Sequence, residues 1–261
     1  KDFGCGTEYF NYFAKANSIH NTGPYSMKFQ EDSLQWKDID LPYDFAVDLP
    51  FAEKASYSHG HKTVGWQYPE TSIGWYRKKF NIPESDRGKH IRLQFDGIFR
   101  DAQIWVNGFL VGHESSGYKH QDYDITDYLL YGDGQNQTNL VCVRADATFE
   151  EGWFYEGAGI YRHTWLTKSA PLHISTDGVF VHADLSPDFQ QARVYVETDV
   201  CNESNDNTSP YQLLHEIIAP DGHVVARMTS DGTQLLPRSH QSATTTTVLK
   251  NPLLWSLQRP Y

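Results

Sequence analysis

Two short stretches concentrate the side chains that could do chemistry. Residues 150–156, Glu-Glu-Gly-Trp-Phe-Tyr-Glu, set the carboxylates of Glu150, Glu151 and Glu156 among three aromatic rings. Aromatic rings stack on the C–H faces of pyranose sugars, and carboxylates accept hydrogen bonds from their hydroxyls. The plainer reading is a solvated acidic loop anchored by Trp153 and Tyr155. Residues 68–74, Tyr-Pro-Glu-Thr-Ser-Ile-Gly, offer Glu70 and the hydroxyl of Thr71, which can both donate and accept. His59 and His61 form a His-x-His pair, and on a strand two imidazoles at that spacing share a face and could bind a metal. No third ligand stands beside them and glycines surround them, so they read as part of a loop. Arg100 and Asp101 could pair across the mouth of a hairpin. The sequence contains no Gly-x-Ser-x-Gly elbow, no activated-cysteine pattern and no phosphate-binding glycine loop. No residue is assigned a catalytic role and no metal or cofactor is expected.

The elements that must position these groups are strands. Seven Trp, sixteen Tyr and fourteen Phe stand against only two Met, a skew that suits a pleated, half-buried surface. Ile91–Leu129 is the clearest stretch: two apolar-rich runs, the second broken by Asn107-Gly108, the dipeptide best suited to a two-residue turn with positive φ at both central positions. Gln103–Val106 and Phe109–Gly112 are therefore expected to pair. The polar, aromatic segment after them, His113 to His120, reads as part of the frame. Trp36–Pro42 reads as a short strand. Gly74–Pro83 reads as another, with Trp75 and Phe80 on opposite faces. Asn139–Ala145 reads as buried, with Cys142 as a small hydrophobe, and Ile160–Leu166 alternates. Residues 1–35 read as an extended arm, and Tyr43–Glu70 as a long irregular segment of the kind that is usually functional. Helical periodicity is nearly absent; the expectation is an all-β chain built of antiparallel sandwiches.

After Pro171 the texture changes to short strands, His173–Leu185, Ala192–Val200, Gln212–Ala219, Val224–Met228 and Ser239–Lys250, with a turn at Pro220-Asp-Gly222. These fall short of the seven strands of an immunoglobulin-like sandwich. A missing last strand would leave a bare edge, so the chain is expected to be cut before its closing strand. A net charge of −11 with scattered basic residues argues against a nucleic-acid surface, and no run is long enough for a membrane-spanning helix. Three cysteines, Cys5, Cys142 and Cys201, are too few and too far apart for a disulfide framework or a zinc site. The N-terminus has no apolar leader, yet a chain starting at Lys is compatible with one removed earlier, so export to a bacterial periplasm and a cytoplasmic location both stay open.

Five segments together resemble glycoside hydrolase family 2, the β-galactosidase and β-glucuronidase group: WKDIDLPYDF, GWYRKKF, FDGIFRDAQIWVNGFLVGHESSGY, GWFYEGAGIYRHTWL and NPLLWSLQRPY, in the family's order from Trp36 to Tyr261. The resemblance implies a jelly-roll sugar-binding domain over residues 1–171 and an immunoglobulin-like sandwich over 172–261, truncated at its last strand. It also implies a TIM barrel after Tyr261 that carries two catalytic glutamates, as retaining hydrolysis requires. This chain would then be the non-catalytic N-terminal portion of a β-galactosidase-like enzyme acting on terminal β-linked sugars, inactive alone. A β-glucuronidase- or β-mannosidase-type parent and a free-standing carbohydrate-binding module are the alternatives. The implied partners are carbohydrate, the barrel of the same parent chain and, since such domains also build subunit contacts, a second copy. In β-galactosidases the loop matching 150–156 supplies an aspartate to galactose; Glu151 is the nearest acid here. The Glu-Asn of the family's Glu-Asn-Pro-x-Gly segment becomes Glu70-Thr71, which puts strict galactose specificity in doubt. The expected substrate-binding set is Glu70, Thr71, Glu151, Trp153 and Tyr155. Asp44 and Tyr43 are expected to hold the neighbouring loop, and Arg162 to pin the Gly157–Gly159 turn.

Overall fold

The computed structural model describes residues 23–27, 29, 36–49, 73–148 and 157–258. The chain divides into two compact units, Lys1–Lys168 and Ser169–Tyr261. Both are built of antiparallel strands, and the helical residues among those described are single 3-10 turns.

The first unit contains β1 (Ile73–Phe80), β2 (His90–Phe95), β3 (Ala102–Val106), β4 (Phe109–Glu114), β5 (Gln121–Asp124), β6 (Asn139–Asp146) and β7 (Thr164–Ser169). They form two sheets, ordered β1-β6-β3-β4 and β5-β2-β7. The two-residue period explains the core. Ile91, Leu93 and Phe95 of β2 meet Ala102, Ile104 and Val106 of β3 and Val143 and Ala145 of β6 in one buried cluster. At about 25 cal/mol per Å² of apolar surface removed from water, such a layer is the main force holding the sheets face to face. Strand β3 is buried along its whole length, because its outer face is covered too. There Trp105 is sandwiched between Tyr25 and Trp75, with ring centroids 5.3 and 5.5 Å apart, over the buried thiol of Cys142. Trp75 thus packs on the outer face, whereas Phe80 packs on the inner cluster.

The Asn107-Gly108 turn joins β3 to β4, with φ of 51° and 86°. Both values are in the left-handed region, which Asn and Gly tolerate best. The Asn107 side chain is also nearly buried. It donates to Tyr128 O at 2.7 Å and Asn139 Oδ1 at 2.8 Å, and accepts from Leu140 N at 2.8 Å. Asn139 in turn accepts from Leu130 N and donates to Leu130 O, both at 2.8 Å. The turn, the segment after β5 and the start of β6 are therefore tied by side-chain amides.

One expected strand does not form. Trp36–Pro42 runs as irregular chain. Pro42 lacks an N–H, and the next donors bind a loop rather than a ladder: Tyr43 N to Ile160 O at 2.7 Å and Phe45 N to Ala158 O at 3.1 Å.

Among the described residues the second unit has five strands, β8 (Leu172–Leu185), β9 (Gln191–Asn202), β10 (Tyr211–Ile218), β11 (Val224–Gly232) and β12 (Ser239–Lys250). The sheets are β12-β9-β8 and β10-β11. Alternate residues of β9 face inward, where Val194 and Val196 meet Met228, and Val200 meets Leu213 and Leu235. His215 bridges the layers through Thr198 Oγ1 at 2.8 Å and Thr245 Oγ1 at 3.1 Å. The threonine run lies on β12, at the edge of its sheet. The chain is thus all-β: a jelly-roll sandwich followed by an immunoglobulin-like one.

Candidate functional site

Glu70, Thr71, Glu151, Trp153 and Tyr155 lie outside the described residues, as do His59 and His61. The roots of the two loops that carry the first five are described, and they adjoin. Strand β1 begins at Ile73, two residues after Thr71, and β6 ends at Asp146, shortly before the acidic stretch; Ile73 and Asp146 are direct cross-strand partners. The strand ends nearest to residues 50–72 and 149–156 are therefore neighbours at one end of the β1-β6-β3-β4 sheet.

Antiparallel pairing brings further connections to that end. Gln103 faces Arg144 and Ala102 faces Glu114, so the start of β3 and the end of β4 lie there as well. The short links 96–101 and 115–120 cross from these strands to the end of β2 and the start of β5. The segment after Glu114, expected to be frame alone, thus sits beside the roots of both candidate loops.

Each root is held by polar contacts. Asp146 closes β6 with both oxygens: Oδ2 accepts from Arg144 Nη2 at 3.0 Å, and Oδ1 from Thr148 N at 3.1 Å and Thr148 Oγ1 at 2.6 Å. Its N–H donates to Arg100 O at 2.9 Å. Where the acidic loop returns, Asp44 Oδ1 accepts from Ala158 N at 3.0 Å and from Ala46 N at 2.9 Å, capping a short 3-10 turn. The Tyr76 hydroxyl donates to Tyr43 O at 3.0 Å and accepts from Ile160 N at 3.2 Å. Burial drives its pKa far above the usual phenol range, so it stays protonated as a bridge. Gly159 pairs through its backbone with Phe99 at φ +98°, and a Cβ there would collide with the Tyr76 hydroxyl. The Gly157–Gly159 turn is thus pinned by Asp44, Phe45, Tyr76 and Phe99. Arg162, expected in that role, is exposed, and its charge instead helps hold Asp96 ionised.

Polar and aromatic groups line this end. His113 Nε2 lies 2.6 Å from Asp101 Oδ1, so Asp101 takes the imidazole across the hairpin mouth in place of the expected Arg100. The Arg100 guanidinium lies 5.8 Å from the Phe99 ring centre. Glu114 bridges Lys119 Nζ at 2.9 Å and Ser116 N at 3.0 Å, contacts that hold its carboxyl below the ordinary range. On the second sheet, Asp96 accepts from Trp165 Nε1 at 3.1 Å and lies 3.4 Å from His120 Nδ1. The Trp165 bond, then the charge of Arg162, lower its pKa. Trp165 is 51% exposed and stacks on His163 at 5.5 Å. An exposed indole flanked by a carboxylate and imidazoles can stack a pyranose ring and accept from its hydroxyls. The sequence placed Trp165 on an alternating strand but held no sign that Asp96 and His120 would join it, because that grouping depends on β2 pairing with both β5 and β7.

Comparison with known proteins gives this geometry a context. Residues 14–170 match the sugar binding domain of glycosyl hydrolases family 2, and residues 172–261 match a second glycosyl hydrolases family 2 domain. A β-galactosidase of Bacteroides ovatus is 33% identical over 87% of this chain and 25% of its own length. A β-glucuronidase of Formosa agariphila is 30% identical over 97% of this chain and 27% of its own. The crystal structure of a family 2 glycosyl hydrolase from Bacteroides cellulosilyticus superposes with a TM-score of 0.78 at 30% identity, covering 95% of this chain and 30% of that one. The chain spans about a quarter to a third of the length of these relatives, their N-terminal, non-catalytic region. By two matched domains that run from residue 14 to residue 261, the chain belongs to glycosyl hydrolase family 2.

Proposed function

We propose that this chain is the accessory portion of a retaining glycosidase that removes terminal β-linked sugars, with galactosides favoured and glucuronides or mannosides as alternatives. Residues 1–171 form its sugar-binding domain and 172–261 its immunoglobulin-like domain; the acid/base and nucleophilic carboxylates belong to a TIM barrel outside this sequence. The two domains brace that barrel and shape its substrate entrance, and a second copy of the parent chain is a further candidate partner. Glu70, Thr71, Glu151, Trp153 and Tyr155 contribute one wall of the sugar subsite. The adjacency of Ile73 and Asp146 carries this reading, because it roots both candidate loops side by side.

In this reading the chain alone leaves nitrophenyl β-galactoside and β-glucuronide intact. Turnover by clean protein that survives substitution of Glu151 and Glu156 would overturn it. A second reading, a carbohydrate-binding module, is favoured by exposed Trp165 with Asp96 and His120 beside it. Titration calorimetry against galactose, glucuronate and mannose separates the two: millimolar or tighter binding supports the module, and absence of binding supports the bracing role.

A further inference from the structure

A side-chain cluster in the second unit lies outside everything assigned above. His173 on β8 and Cys201 on β9 are direct cross-strand partners, so their side chains share a face. His173 Nε2 lies 3.3 Å from Cys201 Sγ and 3.8 Å from Glu203 Oε2, and the three ligand atoms fall within 4.8 Å of one another. Tetrahedral zinc with bonds of about 2.3 Å to sulfur and 2.0–2.1 Å to nitrogen or oxygen sets its ligand atoms about 3.3–3.6 Å apart. Two separations are near that spacing, and the third, between Cys201 Sγ and the Glu203 carboxylate, lies within 4.8 Å and must shorten as a metal binds.

The mounting is rigid. Glu203 N donates to Pro171 O at 2.9 Å. The preceding Asn202 is buried and donates to Asp206 O at 2.7 Å and Leu236 O at 3.0 Å, while its Oδ1 accepts from Ser204 N at 3.0 Å. Glu203 is thereby fixed on both sides. Cys201 is 2% exposed and Glu203 Oε2 is buried, whereas the side chains of His173 and Glu203 keep 17% and 25% exposure, so the cluster lies at the edge of the buried layer.

We propose that His173, Cys201 and Glu203 form a zinc site that clips the start of β8 to the turn after β9, with water as the fourth ligand. A thiolate and an imidazole select a borderline-soft divalent ion over magnesium or calcium, whose preferred ligands are all oxygen. Zinc takes the thiolate of Cys201, so the thiol must give up its proton. Binding Zn²⁺ therefore releases that proton to solvent as the sulfur–metal bond forms.

The test uses the 261-residue chain with Co²⁺ and Zn²⁺ as probes. Co²⁺ is expected to bind one per chain and to give a thiolate-to-cobalt charge-transfer band that Zn²⁺ abolishes. Cys201→Ser removes the band, and His173→Ala and Glu203→Gln weaken binding at least tenfold. Cys5→Ser and the His59→Ala/His61→Ala pair leave it intact. A band that survives Cys201→Ser, or disappears with Cys5→Ser, refutes the site. Zinc K-edge absorption on the unaltered chain guards against variants that fail to fold: one sulfur at about 2.3 Å among nitrogen and oxygen neighbours supports the site. A shell with no sulfur, or failure of the unaltered chain to bind either metal, overturns it.

Discussion

Substitution of Asn107 separates what the turn needs from its backbone and what it needs from its side chain. Asn107→Ala places a Cβ-bearing residue without a local hydrogen bond at φ 51° and deletes three side-chain bonds. The left-handed conformation costs about 1–2 kcal/mol for such a residue. Each deleted bond costs about 1 kcal/mol where water replaces the partner and about 1–3 kcal/mol where the partner stays dry. Leu140, whose N–H loses its acceptor, is 1% exposed. Asn107→Ala should therefore destabilise the first unit by about 4–7 kcal/mol, much of the about 5–15 kcal/mol that a domain possesses. Asn107→Gly keeps the conformation and loses only the bonds, so it should be milder by about 1–2 kcal/mol. The assay is urea unfolding followed by tryptophan fluorescence, which reports chiefly on the first unit because only Trp255 of the seven tryptophans lies beyond residue 168. With a urea slope near 2–3 kcal/mol/M, the midpoint should fall by roughly 2 M for Asn107→Ala. Asn107→Ala and Asn139→Ala should also combine to less than the sum of their single effects, since the two amides bond to each other. A loss below about 2 kcal/mol, or identical midpoints for the alanine and glycine variants, would refute the reasoning.

Other expectations concern the loop end and the ion pairs. Tyr76→Phe strips an acceptor from Ile160 N and a donor from Tyr43 O; it should cost about 2 kcal/mol in the same unfolding assay. It should also weaken any sugar binding at that end, read by calorimetry. Asp86 takes Lys168 Nζ at 2.6 Å and Lys89 Nζ at 2.7 Å, and these contacts depress its pKa. Its folded-state pKa lies below the unfolded one, so its contribution is complete above about pH 4 and disappears as pH falls through the folded value. The melting-temperature gap between the unaltered chain and Asp86→Asn should accordingly be constant near neutrality and close in acid; a gap that widens in acid contradicts the pairing. Trp165→Ala loses the bond to Asp96 and the buried half of the indole, so it should cost about 1–2 kcal/mol of stability. If the module reading holds, it should abolish glycan binding.

Local features of the first unit were legible in the residues. Asn107-Gly108 announced its turn because only a few residues accept positive φ in succession, and Trp75 and Phe80 separate to opposite faces because the strand period is two. Trp36–Pro42 misled because an apolar alternation ended by proline resembles a strand whether or not a partner exists. The donors just beyond it found the 157–160 loop, a partner far along the chain. The same non-local pairing hid the groupings on which both proposals rest. Ile73 meets Asp146, and His173 meets Cys201, only through registers that no short window of sequence contains. Cysteine spacing alone pointed away from a metal, since a cross-strand site needs one cysteine and a partner 28 residues away rather than a repeated motif.

The two ends of β3 divide the labour of the first unit. At its Asn107 end, donors and acceptors close on one another in a buried amide network, so its polar groups are spent on the turn itself. At its Ala102 end, carboxylates, imidazoles and an indole stay partly exposed, while part-buried contacts from Asp44 and Tyr76 fix the 157–160 segment. A sugar-binding surface needs both properties, groups that can exchange water for hydroxyls and a base that does not move when they do. Substitutions at the turn should therefore change stability and leave affinity alone, whereas the larger effect of Trp165→Ala should be on affinity. Tyr76, which is buried yet joins the roots of the loops, should be the position where the two effects coincide.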